Sequence, residues 1–183
     1  MRILPRQFYD RETAQVALDL LGMLLVVERD GCKKVGLIVE VEAYLGEHDL
    51  ACHTSKGKTP RNEVMFGPPG HAYVYMIYGI HHCLNVVTEP AGRGCAVLIR
   101  ALEPLEGISG KTSGPGLLCK ALGVDRGANG LDLTLPELCI VEPGQHKKIH
   151  AVKRPRIGVD YAGEWAKKPL RFYIRDNPFI SRP

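Results

Sequence analysis

The sequence predicts one α+β domain over residues 1–183, built from antiparallel hairpins with a few helices beside them. Three observations carry that expectation. The chain has 183 residues with 45% apolar positions, enough for one substantial core and short for two. Two strand–turn–strand patterns stand out, one at Asp30-Gly31 and one at Gly79. Helical patterns are short and few, so nothing suggests a helix crossing over after every strand.

Taken in order, a first helix is expected over Glu12–Leu21, with Ala14, Ala17, Leu18 and Leu21 on one face and Gly22 as its stop. Strand Leu24–Glu28 then meets the Asp30-Gly31 turn and returns as Val35–Tyr44. Strict alternation puts Glu40 and Glu42 on the face of Ile38 and Tyr44, opposite Leu37, Val39, Val41 and Ala43. A polar loop follows, carrying His53 and Thr59-Pro60-Arg61-Asn62. The Gly67-Pro68-Pro69-Gly70 turn introduces the second hairpin, Tyr73–Tyr78 and His82–Thr88, with Gly79 near its tip. Strand Cys95–Leu102, a short helix after Gly114-Pro115-Gly116, and strands near Leu138–Val141 and Leu170–Arg175 complete the pattern.

Composition excludes several classes. No window approaches the ~20 apolar residues of a membrane span, and Met-Arg-Ile-Leu-Pro-Arg-Gln-Phe lacks the apolar stretch of a signal peptide. A cytosolic protein is expected, nucleoid-associated in a bacterium or nuclear in a eukaryote. The six cysteines include several within apolar runs, the pattern of reduced, mostly buried thiols. Gly57-Lys58-Thr59 and Gly110-Lys111-Thr112 resemble the end of a phosphate loop, but the required earlier glycine is Cys52 or Leu105. Cys52-His53 and His81-His82-Cys83 lack the spacing that lets zinc ligands converge, so no metal is expected. Charge is uneven. Residues 1–145 carry 14 Lys+Arg against 17 Asp+Glu, and residues 146–183 carry 10 against 3, a balance suited to a polyanion.

The most specific signal is a series of blocks in order. It comprises Glu42-Ala43-Tyr44-Leu45-Gly46, His53, Lys58-Thr59-Pro60-Arg61-Asn62, Tyr73-Val74-Tyr75-Met76-Ile77-Tyr78-Gly79, Cys83-Leu84-Asn85 and Leu98-Ile99-Arg100-Ala101-Leu102-Glu103-Pro104. Cys119-Lys120-Ala121-Leu122, Arg156-Ile157-Gly158-Val159 and Ala162-Gly163-Glu164-Trp165-Ala166 continue it. Together these resemble the alkyladenine (3-methyladenine) DNA glycosylase family of the vertebrate-type fold, over nearly the whole chain.

The resemblance implies a single compact domain with a curved sheet. It also implies a monofunctional hydrolase that releases alkylated purines, and by extension deaminated or etheno-modified ones, from double-stranded DNA. Its chemistry needs a positioned water, a carboxylate to take the water's proton, and a slot for an unstacked base. By matching position Glu42 is the general base and Arg100 its neighbouring cation, although an ordinary ion pair between strands would look the same. Tyr75 forms one wall of the slot and Tyr44 with His53 the other; Asn85 and Ile157 complete it. An aromatic ladder in the core is the plainer account of these tyrosines, and it is kept for Tyr73. Tyr78, flanked by Ile80 and His81, is the expected wedge into the duplex, and Thr59, Arg61 and Lys120 the expected phosphate contacts. No cofactor, no membrane contact and a monomer are implied. Two departures stand out: His81 replaces a tyrosine of some relatives, and residues 108–113 form a short segment where others carry a longer basic or helical insertion. A purine nucleoside hydrolase and a non-catalytic damaged-DNA binder remain as alternatives.

Overall fold

Eight strands form one sheet, and the way its longest strand is shared among neighbours decides where the site lies. The computed structural model describes residues 2–145 and 148–183. A single turn, α1 (Arg6–Tyr9), leads into α2 (Thr13–Leu20). Glu12, expected inside this helix, caps it instead, its carboxylate accepting the N–H groups of Ala14 and Gln15. Of the expected stripe, Ala17 and Leu21 are buried and Ala14 and Leu18 pack partly buried against the core, while a second stripe, Thr13, Val16, Ala17 and Leu20, is wholly buried. Both stripes satisfy the helical period, and the one with Val16 and Leu20 removes more apolar surface from water.

Strands β1 (Leu24–Arg29) and β2 (Cys32–Tyr44) pair across Asp30 and Gly31, whose φ values of 50° and 72° form the turn that matches strand twist. The second hairpin is β3 (Ala72–Ile77) with β4 (His81–Thr88), and β5 (Cys95–Glu106) follows. Helix α3 (Pro115–Leu122) starts on its proline. Strand β6 (Leu138–Val141), strand β7 (Ala151–Arg154), the turn α4 (Glu164–Lys167) and strand β8 (Arg171–Ile174) end the order. The pieces α1, α4 and β7 are too short to show a period in sequence, and none was expected.

Every pairing between these strands is antiparallel, in the order β3-β4-β5-β2-β1-β6. Along its other edge β2 pairs first with β1 and then, over Glu40–Glu42, with β8. This hand-over curls the sheet into a half-barrel. One side of the sheet packs on α2 and α3 through Val16, Leu20, Ile38, Val41, Ala43, Val97, Ile99, Leu102 and Leu118, all buried. Each large apolar side chain so buried contributes about 1.5–3 kcal/mol. Five of the six cysteines are buried, Cys32 is exposed, and none is in a disulfide.

One expectation about β2 fails. Ile38 faces the main core with Val41 and Ala43, not with Glu40 and Glu42. The register pairs Ile38 with Leu102 and Glu40 with Ala101, so Val39 is an extra residue on β2. The next step pairs Val41 with Ile99 and passes over Arg100 on β5. A bulge adds one residue and reverses the alternation beyond it. As a result Glu40, Glu42 and Arg100 meet on the face away from that core, inside the protein rather than in solvent.

Candidate active site

Glu42 lies in the second half of β2 with no exposed surface. Its Oε1 accepts the backbone N–H of Ile157 at 2.8 Å and lies 3.3 Å from Nη1 of Arg100. Its Oε2 accepts the Tyr44 hydroxyl at 2.8 Å. A buried carboxylate is costly without such partners, and here three groups from three segments supply them. Burial, and then the Glu42 charge, push the Tyr44 pKa well above the ordinary phenol value, so Tyr44 is a donor. Burial opposes the charge on Arg100, but Glu42 and Glu40 outweigh it and raise its pKa.

Above this carboxylate is a cavity of about 300 Å³. Tyr44, His53, Tyr75, Asn85, Arg100 and Ile157 all line it, whereas Glu42 sits just behind the lining. Tyr73 and Tyr75 share strand parity, and both reach the cavity. The His53 loop is held by Asn62, whose amide donates to the carbonyls of His53 and Gly57 at 2.9 and 3.0 Å. His53 Nδ1 is 2.9 Å from the Tyr73 hydroxyl, and the His53 and Tyr75 rings meet edge-on at 4.5 Å. Packing against these rings, with Arg61 nearby, lowers the His53 pKa and favours neutral imidazole. Asn85 is buried, its amide donating to the Tyr73 carbonyl at 3.0 Å. That bond fixes the side chain against the cavity wall, so lining the cavity and bonding to backbone are compatible.

At the cavity mouth the β3–β4 turn presents Tyr78, 90% exposed, and Ile80, 72% exposed. Tyr78 has φ 52° and precedes Gly79 at φ 72°. Left-handed backbone costs a tyrosine about 1–2 kcal/mol and a glycine almost nothing. Such strain, combined with an exposed aromatic ring, makes Tyr78 a candidate for function. His81 is less prominent than Ile80. It pairs with Ile77 at the base of the turn and packs beneath α3, where a Cβ on Gly116 would come within 3.0 Å of its side chain. Ile80, His81 and Lys120 border one shallow cleft. Thr59 and Arg61 are exposed on the His53 loop, with Arg61 over the Tyr75 ring at 5.8 Å.

Residues 7–178 match the family model of methylpurine-DNA glycosylase (MPG). The chain belongs to the methylpurine-DNA glycosylase family. It is 58% identical over 183 residues to a Legionella pneumophila (strain Corby) protein, with both chains fully covered. A Myxococcus xanthus protein is 57% identical over all of this chain and 95% of its own, and a Methanocella arvoryzae protein 52% identical over 100% and 97%. All three are provisionally named 3-methyladenine DNA glycosylase. Membership places the protein among DNA glycosylases, which are hydrolases.

Several structural features of this glycosylase lie outside the residues that sequence reasoning selected. Arg156 and Asp49, both fully buried side chains, form a two-pronged ion pair at 2.5 and 2.8 Å. Arg156 also donates to the Ala43 carbonyl at 2.9 Å and lies 4.7 Å from the Tyr44 ring centre. It therefore seats both Tyr44 and the neighbouring Ile157 N–H. Tyr161, at the rim, donates to the Ala51 carbonyl at 3.3 Å. Tyr73 could have been found from its parity with Tyr75; Asp49 and Arg156, far apart in sequence, left no local sign.

The basic segment 146–183 also needs correction. Arg156 pairs with Asp49 and Arg171 with Glu40, so two of its ten cations hold the fold and are not free for a polyanion. Residues 146 and 147 lie outside the described residues. No helix among the described residues is long and apolar enough to cross a membrane.

Proposed function

We propose that the protein releases alkylated purines from duplex DNA by direct hydrolysis, with the base rotated out of the stack into the Tyr44–Tyr75 cavity. The observation that carries this is Glu42, a buried carboxylate held by Arg100, Tyr44 and the Ile157 N–H beneath an aromatic cavity that opens beside an exposed tyrosine turn. A water bonded to Glu42 attacks the anomeric carbon while the carboxylate takes its proton, and the carbon–nitrogen bond breaks. An N-alkylated purine is cationic, so it leaves neutral as the bond electrons return to the ring. Deaminated and etheno-modified purines are assigned to the same slot. Hydrolysis of this kind needs no metal or organic cofactor. No lysine lines the cavity among the described residues, which favours water over an amine as nucleophile.

Stacking supplies much of the binding. A base held between two walls needs about 7 Å, twice a normal carbon contact, yet His53 and Tyr75 stand 4.5 Å apart. Entry of a base therefore moves the His53 ring off Tyr75, and the base inherits its place. Aromatic faces favour a cationic ring, which selects alkylated over normal purines.

Asn85 is assigned to exclude the 2-amino group of guanine. Asn85→Ala should raise release of 7-methylguanine relative to hypoxanthine, measured in competition on otherwise identical duplexes. An unchanged ratio removes Asn85 from the selection.

The DNA-directed part of this reading is tested through the wedge. With Tyr78 filling the gap in the stack, Tyr78→Ala should slow release from a paired lesion by ~10-fold or more, since one base–aromatic stack is worth roughly 1–3 kcal/mol. Release from an unpaired lesion in a single strand should change little. Equal losses on the two substrates would contradict the wedge, and hydrolysis of free nucleosides in preference to either would favour a nucleoside hydrolase.

A further inference from the structure

Glu40 is as buried as Glu42 and takes no part in the reaction described above. Its Oε1 accepts Arg100 Nε at 3.0 Å, Arg171 Nη1 at 3.1 Å and the Ser181 hydroxyl at 2.8 Å; its Oε2 accepts the Ser181 N–H at 2.5 Å. That is about all a carboxylate can accept. The Ser181 hydroxyl in turn accepts Nη2 of Arg100 at 3.3 Å, and Arg171 Nη1 donates to the Arg182 carbonyl at 2.7 Å. The guanidinium of Arg100 is thus held along one side by Glu40 and Ser181, and only Nη1 is left to point at Glu42. Being planar, it cannot tilt without breaking those bonds.

We infer that Ser181, acting with Glu40, is a positioning residue for the catalytic step: the segment around it straps the back of Arg100 and fixes the angle at which that cation meets Glu42. Only a hydroxyl fits, because the same atom donates to Glu40 and accepts from Arg100. Threonine keeps both bonds; alanine loses both. The inference rests on the reading that Glu42 activates the water.

Single-turnover base release and affinity for a duplex carrying an abasic analogue separate the possibilities. Ser181→Ala should slow release by ~10-fold or more, as slight misplacement of a catalytic group does, while leaving affinity unchanged. Ser181→Thr should restore the rate. In an Arg100→Lys background, where the shorter-reaching ammonium cannot join Ser181, Glu40 and Glu42 together, Ser181→Ala should add no further loss. The same fold-loss in both backgrounds, or a loss of affinity matching the loss of rate, would overturn the inference. Glu42→Gln run alongside keeps the failures apart. If Glu42→Gln is inactive and Ser181→Ala is fully active, only the strap is wrong; if Glu42→Gln is active, the catalytic reading itself is wrong.

Discussion

Glu42→Gln should release damaged bases ~10²- to 10⁴-fold more slowly than the wild type while still folding and binding an abasic-analogue duplex. Glutamine is nearly isosteric and keeps an oxygen for the Ile157 N–H and Arg100. Its amide can meet the Tyr44 oxygen, the hydroxyl changing from donor to acceptor. Arg100 retains Glu40 as a counter-ion, so the buried network stays paired. What is lost is the ability to take a proton from water. Glu42→Asp keeps the charge one methylene farther back and should fall between. A Glu42→Gln enzyme within a few-fold of wild type, measured by single-turnover release, would remove Glu42 from the mechanism.

Asp49→Asn should be the most destabilising of the changes considered, by roughly 3–5 kcal/mol, because it leaves the Arg156 cation buried without a counter-ion. For a chain of this length that is a drop in Tm on the order of 10 °C. Asp49 also accepts the N–H groups of Leu45 and Ala51, so the loop after β2 loosens with it. Activity should fall even below the new Tm, since Arg156 seats Tyr44 and the segment whose Ile157 N–H holds Glu42. Thermal melts together with release rates check both parts. A Tm within a degree or two of wild type would mean that the pair is replaced by water without cost.

The contrast between Tyr78 and Val39 shows what the sequence could reveal. Tyr78-Gly79 announces itself, since glycine chemistry locates the turn and a tyrosine beside it has nowhere to hide. Val39 is an extra residue on its strand and looks like any other member of an apolar run, so the reversal of alternation at the bulge has no local sign. Glu42 and Tyr44 still share a face, as the alternation predicts, because both lie beyond the bulge and in phase with each other. Arg100 was selectable by motif, but its partners Glu40, Arg171 and Ser181 come from three separate segments that only the fold assembles. The same is true of Asp49 and Arg156, 107 residues apart. The concentration of positive charge after residue 146 was a true feature of composition, yet part of it serves buried pairs, which a charge count cannot distinguish from surface charge.

The central claim is that this pocket hydrolyses a damaged purine from duplex DNA with water as nucleophile. The most direct measurement uses a labelled duplex bearing one alkylated purine, assayed for free base and for strand scission before and after alkali, with borohydride present in a parallel reaction. The expected result is stoichiometric base release, a strand intact until alkali is added, no borohydride-trapped adduct, and no release by the Glu42→Gln protein on the same timescale. Strand cleavage without alkali, a trapped covalent adduct, or release from free nucleosides but not from the duplex would contradict it.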